Sequence, residues 1–195
     1  MKLLKSIIAI ILVSVSFTAV HAQEALNKGV YSIGGSIQYS SVTQSNDFGS
    51  YTQNTGVISP QFTYFVINHL AVGAMINYNY FYGSEPGGNE GNVNVRNSYI
   101  TIGAAVRYYF YVKHVVPFVE ASFNYGVYDM QFQTSENSYN IGVKGGFEIF
   151  LSGSVSLEPF ISYNYIKYRT SVDEFIINQK NNNVAFGVGM NYFIF

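Results

Sequence analysis

The chain has 195 residues, 48% of them hydrophobic, and a formal net charge of -1, so no basic surplus exists to attract a nucleic acid. Only 11% of residues are charged, while 18 Tyr, 16 Phe and 18 Gly are present; a soluble domain carries about 25% charged residues, so something other than charge must solvate or bury this surface. There are no cysteines, which excludes disulfides, thiolate metal sites and a cysteine-anchored lipid.

The N-terminus differs from the rest. Lys2 and Lys5 precede an apolar stretch from Ile7 to Val15 broken only by Ser14, and Val20-His21-Ala22 presents small residues where a signal peptidase reads. Residues 1–22 are therefore expected to be a cleavable signal peptide, because the apolar run falls short of the roughly 20 residues a spanning helix needs, and residues 23–195 the mature domain. Without Lys2 and Lys5 the mature chain has eight basic against eleven acidic residues, a formal charge of -3.

From there on, apolar residues alternate with small or polar ones at period two, the signature of strands. Tyr31, Ile33, Ile37 and Tyr39 oppose Ser32, Gly34, Ser36 and Gln38; Ile58, Pro60, Phe62 and Tyr64 oppose Ser59, Gln61 and Thr63. Val72, Ala74, Ile76, Tyr78 and Tyr80 oppose Gly73, Met75, Asn77 and Asn79, and Ile100, Ile102, Val106, Tyr108 and Phe110 oppose Thr101, Gly103, Arg107 and Tyr109. In the second half Val119, Ala121, Phe123 and Tyr125 oppose Glu120, Ser122 and Asn124, and Tyr139, Ile141, Val143, Phe147 and Ile149 oppose Asn140, Lys144 and Glu148. The last two segments set Leu157, Ile161 and Tyr163 against Glu158 and Ser162, and Val184, Phe186, Val188, Met190 and Tyr192 against Ala185, Gly187, Gly189 and Asn191. This predicts an all-β, eight-stranded antiparallel up-and-down β-barrel.

The connections alternate between short turns, near Ile67-Asn68-His69, residues 112–115 and Ser152-Gly153-Ser154, and long polar loops at residues 43–53, 83–95, 129–137 and 170–182. The parity of the apolar faces requires an odd, an even and an odd short turn in that order. Short turns at one end and long loops at the other suit a transmembrane barrel of the outer membrane. A soluble barrel is the alternative, but the polar faces carry Gly, Ser and Asn rather than the Lys and Glu of a soluble exterior, and the apolar faces end in tyrosines suited to a membrane interface.

Within such a barrel the polar face places Arg107, Glu120, Lys144, Glu148 and Glu158 in the lumen. Arg107 and Glu120 lie equidistant from one short turn and Glu148 and Glu158 equidistant from Gly153, so a charge network is expected with Arg107 or Lys144 between the two opposed carboxylates. In the last loop, Phe175, Ile176 and Ile177 form an apolar patch rimmed by polar residues, either an extension of the wall or a surface contact.

Pro60-Gln61-Phe62-Thr63-Tyr64-Phe65-Val66 followed by Leu70-Ala71-Val72-Gly73, then Val106-Arg107-Tyr108-Tyr109-Phe110 and Pro117-Phe118-Val119-Glu120, resemble the porin-family outer-membrane β-barrel proteins common in Bacteroidetes, relatives of the OmpX and OmpA barrels. The resemblance covers essentially the whole mature chain. It implies assembly signalling through the terminal Phe193 and Phe195, handling by the barrel assembly machinery, and contact with outer-membrane lipid and lipopolysaccharide. The family's usual Gly five residues before the terminal aromatic is replaced by Met190, and the parity of Tyr192 does not carry to Phe195, which a bulge near Asn191 would reconcile.

Enzymes on such barrels need a His paired with Ser or Asp at the extracellular rim, but His69 and His114 fall in the short periplasmic turns. No catalytic, metal or cofactor residue is expected, the protein is expected to be a monomer without a nucleic-acid partner, and any extracellular ligand is unspecified. The remaining readings are a surface scaffold acting through its loops and a narrow channel for water, ions or small solutes. An eight-stranded barrel is only just wide enough for side chains to fill its interior, which favours the scaffold.

Overall fold

A computed structural model describes residues 22–46, 49–86, 92–110, 115–130, 134–172 and 175–195. The alternating segments form eight antiparallel strands, β1 (Tyr31–Asn46), β2 (Gly49–Ile67), β3 (Leu70–Pro86), β4 (Asn92–Tyr109), β5 (Val116–Met130), β6 (Thr134–Phe150), β7 (Val155–Val172) and β8 (Phe175–Ile194), preceded by a short helix, α1 (Ala22–Ala25). Each strand pairs with the next and β8 returns to β1, closing the barrel. Closure satisfies backbone N–H and C=O groups inside the wall, the condition for crossing hydrocarbon with strands. No helix among the described residues is long and apolar enough to cross a membrane.

The faces are inverted relative to a soluble protein. Ile33, Ile37, Ile58, Phe62, Ile102, Phe123, Ile141, Val188 and Phe186, the last 68% exposed, cover the outside, whereas Ser32, Ser59, Thr63, Asn77, Thr101, Asn124 and Ser162 are buried inside. Tyrosines bracket the apolar belt. From Tyr31 to Tyr39 the strand climbs roughly 20 Å at about 3.3 Å per residue and a tilt of about 40°, close to the roughly 25 Å apolar band of such barrels. On the upper edge a cross-strand motif repeats: Tyr39, Tyr125 and Tyr163 donate their hydroxyls to the side-chain oxygens of Asn54, Asn137 and Asn182, at 2.8, 3.0 and 3.1 Å. Each pair joins the two strands of one hairpin where the apolar face gives way to water, as amphipathic tyrosine side chains require.

The upper ends depart from the sequence expectation. Most of residues 43–53, 83–95, 129–137 and 170–182 continue as paired strand rather than loop, with Val42 opposite Gln53, Gly83 opposite Val95, Tyr128 opposite Glu136 and Ser171 opposite Ile176. Above the membrane both faces of a strand meet water, so alternation fades although the ladder persists. Two seams stop early: β4–β5 pairing ends at Thr101 and Gly126, and β1–β8 pairing ends at Tyr39 and Phe186. Above them the ladder joins the strands in two sets of four, β1–β4 and β5–β8, with the Asn183 amide still donating to Ser40 Oγ at 2.8 Å across the β1–β8 seam.

At the lower end the first turn is a two-residue reversal, with Ile67 opposite Leu70, plus a register shift between Phe65 and Ile67. Together they preserve the parity expected of a three-residue loop, and His69 takes the left-handed conformation (φ 67°) that such a reversal requires. The bulge expected near Asn191 is absent, since the β1–β8 register runs unbroken from Tyr39–Phe186 to Tyr31–Ile194. Phe193 therefore points into the lumen and is buried, while Phe195 is exposed beyond the strand.

The N-terminal segment closes the bottom. Gly29 turns the chain into β1 with φ 96°, a conformation only glycine adopts readily, and Leu26 is buried among Ala25, Phe65, Tyr109, Phe150 and Phe193. The His69 N–H donates to the Leu26 carbonyl at 2.8 Å, tying this segment to the β2–β3 turn. Leu26→Ala is expected to lower stability by about 2–5 kcal/mol, read as a shift of the urea unfolding midpoint of the refolded barrel; an unchanged midpoint would show that this floor contributes nothing.

Candidate functional site

The lumen divides into a charged, aromatic lower half and a polar upper half. In the lower half β4, β5 and β6 set three charges side by side, because Arg107 pairs in register with Glu120 and Glu120 with Lys144. β7 adds Glu158; the pairs Gly146–Phe160 and Ile149–Leu157 bracket Glu148 opposite it. All five side chains are buried.

Arg107 is the hub. Its Nε and Nη2 lie 2.7 and 2.6 Å from Glu120 Oε2, its Nη1 and Nη2 bind the Glu158 carboxylate, the latter donating to Oε1 at 3.2 Å, and Nη1 is 3.7 Å from Glu148 Oε2. Lys144 Nζ bridges Glu120 Oε1 at 2.9 Å and Glu158 Oε1 at 3.4 Å. The expectation that Arg107 or Lys144 would lie between opposed carboxylates corresponds to this arrangement, with Arg107 touching both Glu148 and Glu158. Asn191 donates to Glu148 at 2.8 Å and to Glu158 at 3.0 Å, Ser156 donates to Glu148, and Gln61 donates to Glu120 at 3.3 Å. Such additional bonds are what make a buried ion cluster tolerable.

Beneath and beside the ions lies a set of rings that strand alternation alone did not single out. Phe65 stacks on Tyr109 at 5.5 Å, Phe150 packs on Phe193 at 5.3 Å, the Arg107 guanidinium sits 4.4 Å from the Phe118 centroid, and Lys144 Nζ sits 4.8 Å from that of Phe160, within cation–π range. A signal was present: Tyr64-Phe65-Val66-Ile67, Tyr108-Tyr109-Phe110 and Tyr192-Phe193-Ile194 break alternation with aromatics on both faces. There one face meets lipid and the other the lumen floor. Glycine makes room for the rings, since a Cβ at Gly146 would lie 2.7 Å from Phe160 Cβ and 3.0 Å from Phe118 Cε1.

Above the ions, a partly enclosed polar cavity of about 70 Å³ reaches upward from Gln61, Glu120 and Lys144 to Asn140 and Asn183. Amides and hydroxyls link its walls: Asn77 donates to Asn124 at 2.8 Å and to Thr101 at 3.1 Å, Ser59 donates to Asn77 at 2.7 Å, and Ser162 donates to Gln38 at 3.0 Å. A water needs about 10–15 Å³ of such space, so the cavity accommodates several waters above the ion cluster.

The remaining expected residues lie apart. Phe175, Ile176 and Ile177 begin β8 opposite Val172, Ser171 and Thr170, the backbone arrangement of a wall extension; their side chains lie outside the described residues, as do His114 and residues 1–21. Among the described residues no group of three or more His, Cys, Asp or Glu is placed to hold a metal ion.

An inverted, closed, eight-stranded wall with an aromatic-edged apolar belt defines a multi-pass transmembrane barrel of the bacterial outer membrane. The sequence matches the outer membrane protein beta-barrel domain over residues 10–192, and the chain belongs to that family. No curated protein matches it. Among solved structures, the outer membrane protein OprG from Pseudomonas aeruginosa is similar with a TM-score of 0.58 at 12% identity, covering 86% of this chain and 97% of that one. Neisserial surface protein A is similar with a TM-score of 0.54 at 18% identity, covering 85% and 97%. AlkL, determined in lipid bilayers, gives 0.50 at 13% identity, covering 86% and 91%. At these identities the likeness is one of fold.

The charge count yields a prediction. The cluster holds two cations against three carboxylates, and among the described residues Glu148 Oε2 has no hydrogen-bond partner. Arg107→Ala leaves the carboxylates facing Lys144 alone and is expected to cost about 3–5 kcal/mol. Glu148→Gln keeps an acceptor for Ser156 and Asn191 while removing the surplus charge, and should cost about 1 kcal/mol or less. Urea titrations of the refolded variants check the order; equal losses would contradict it.

Proposed function

We propose that this protein is a surface-interaction scaffold of the outer membrane that presents the upper parts of its strands and their connections outside the cell, and that it is not an enzyme. The observation carrying this reading is the filled lower lumen, where the Arg107 cluster and the rings around Leu26 occupy the path to the periplasm. A pore needs a continuous wet route, and here the water-accommodating space lies above Glu120 and Lys144. Extending the strands beyond the apolar belt spends much of the chain on the extracellular side, which supports a role there. This reading includes a narrower kinship with the porin-family barrels of Bacteroidetes and their OmpX and OmpA relatives, removal of residues 1–22, delivery through the barrel assembly machinery with Phe193 and Phe195 at the recognised end, and a monomeric state. Removal of the signal leaves Leu26 close to the new terminus, free to fold into the floor.

Within that reading, Phe175, Ile176 and Ile177 are the proposed contact patch for an extracellular partner. Replacing all three with Ser should leave the heat-dependent gel mobility of the folded barrel intact while abolishing ligand retention by whole cells; loss of folding, or full retention, rejects the patch.

The filled floor also predicts electrical silence. Planar bilayers containing the protein should show no steady unitary conductance, and Arg107→Ala combined with Leu26→Ala should introduce one. Stable open-channel steps from the unaltered protein would favour the alternative, a narrow passive channel for water, ions or small solutes.

A further inference from the structure

The outer wall of β7 and β8 carries a charge pattern that neither the lumen nor the proposed contact patch uses. Lys167 pairs directly opposite Lys180, and Arg169 lies one outward position higher on β7. All three are exposed. Like charges opposite one another destabilise a sheet pair, and no ion pair is formed by these side chains among the described residues. Removing Lys2 and Lys5 leaves eight basic residues in the chain, so three of them gathered on one outward patch of an acidic protein concentrate positive charge that a bound anion would relieve.

The height of the patch identifies the anion. On β8 the outward residues rise through Tyr192, Met190, Val188, Phe186 and Val184, all exposed apolar or aromatic groups, and Lys180 follows just above Asn182. Asn182 accepts from Tyr163 at 3.1 Å in the motif that marks the upper edge of the apolar belt, which leaves its amide NH₂ as a further donor. Lys167 lies beside Tyr139, another exposed tyrosine of the same ring. The cations thus stand where acyl chains end and headgroup phosphates begin. In addition, among the described residues β8 has no backbone pairing with β1 above Phe186, so backbone N–H groups at this edge are open to an acceptor.

We propose that Lys167, Arg169 and Lys180 form an external docking site for the phosphate of an anionic outer-leaflet lipid, with its acyl chains lying along the β7–β8 face below. The inference rests on the membrane placement of the barrel and is independent of whether the lumen conducts or the strand ends bind a partner. Phosphate chemistry is shared by free phosphate, so the test separates the two.

The purified full-length barrel, after exchange into neutral detergent, is mixed with diphosphorylated lipid A, with the same lipid after dephosphorylation, or with inorganic phosphate, and bound species are counted by native mass spectrometry. The protein should retain the phosphorylated lipid in preference to the dephosphorylated one, and millimolar inorganic phosphate should not displace it. Lys167→Gln, Arg169→Gln and Lys180→Gln together should weaken retention by about tenfold or more, whereas Lys28→Gln at the opposite end leaves it unchanged. Neutralising a repulsive pair should not impair folding, which the heat-dependent gel shift checks; Lys167→Gln and Lys180→Gln singly give the same reading with smaller losses. Equal retention of the two lipids, undiminished retention by the triple variant, or displacement by inorganic phosphate would each overturn the assignment.

Discussion

Hydrocarbon offers no hydrogen bonds to a peptide backbone, and the architecture of this protein follows from that constraint. An open sheet edge in the membrane would leave a row of N–H and C=O groups without partners, so β8 must return to β1. Closure with eight strands leaves an interior that side chains can fill, and outward positions must be apolar. The inward positions then take the polar residues, and a chain with so few charges places five of them together at the lower end of the lumen. Where the wall rises above the belt the constraint lapses. There two seams open, since unpaired edges can bond to water.

The charge cluster and the aromatic floor support each other. The rings exclude water from below, which strengthens the attraction between Arg107 and its three carboxylates; the ions in turn fix the inward ends of β4 to β7, so that Phe118 and Phe160 lie against the cations. Neither layer would hold as well alone. A buried ion cluster without its supplementary bonds is often no better than an apolar core, and here Asn191, Ser156 and Gln61 supply those bonds from three further positions.

Much of this was legible in the sequence because one physical rule, period-two alternation, acts along every membrane-crossing segment. It gave the strand count, the outward faces and the facing of Arg107 and Glu120, and turn parity survived even at Ile67–Leu70, where a tight reversal plus a register shift replaces a three-residue loop. It failed where only one environment surrounds the strand or where both sides are apolar. Polar positions such as Thr43, Thr52 and Gln53 read as loop although they remain in the ladder. The bulge that would carry the parity of Tyr192 to Phe195 is absent, and the place of Phe193 in the aromatic floor follows from the unbroken register alone. The burial of Leu26 beneath the barrel was not legible either, because nothing local to residues 22–30 distinguishes a plug from a linker after a signal peptide.

One uninterrupted alternation runs down β8 from lipid belt to lumen floor. The chain lacks native cysteine, so single Cys substitutions at positions 184 to 193 can each carry a spin label in lipid bilayers, with oxygen and a polar relaxation agent reporting lipid and water access. Oxygen access should be high at positions 184, 186, 188, 190 and 192 and low at the odd positions, with position 193 protected from both agents. A reversal of phase after position 191, or free access of the polar agent to position 193, would contradict it.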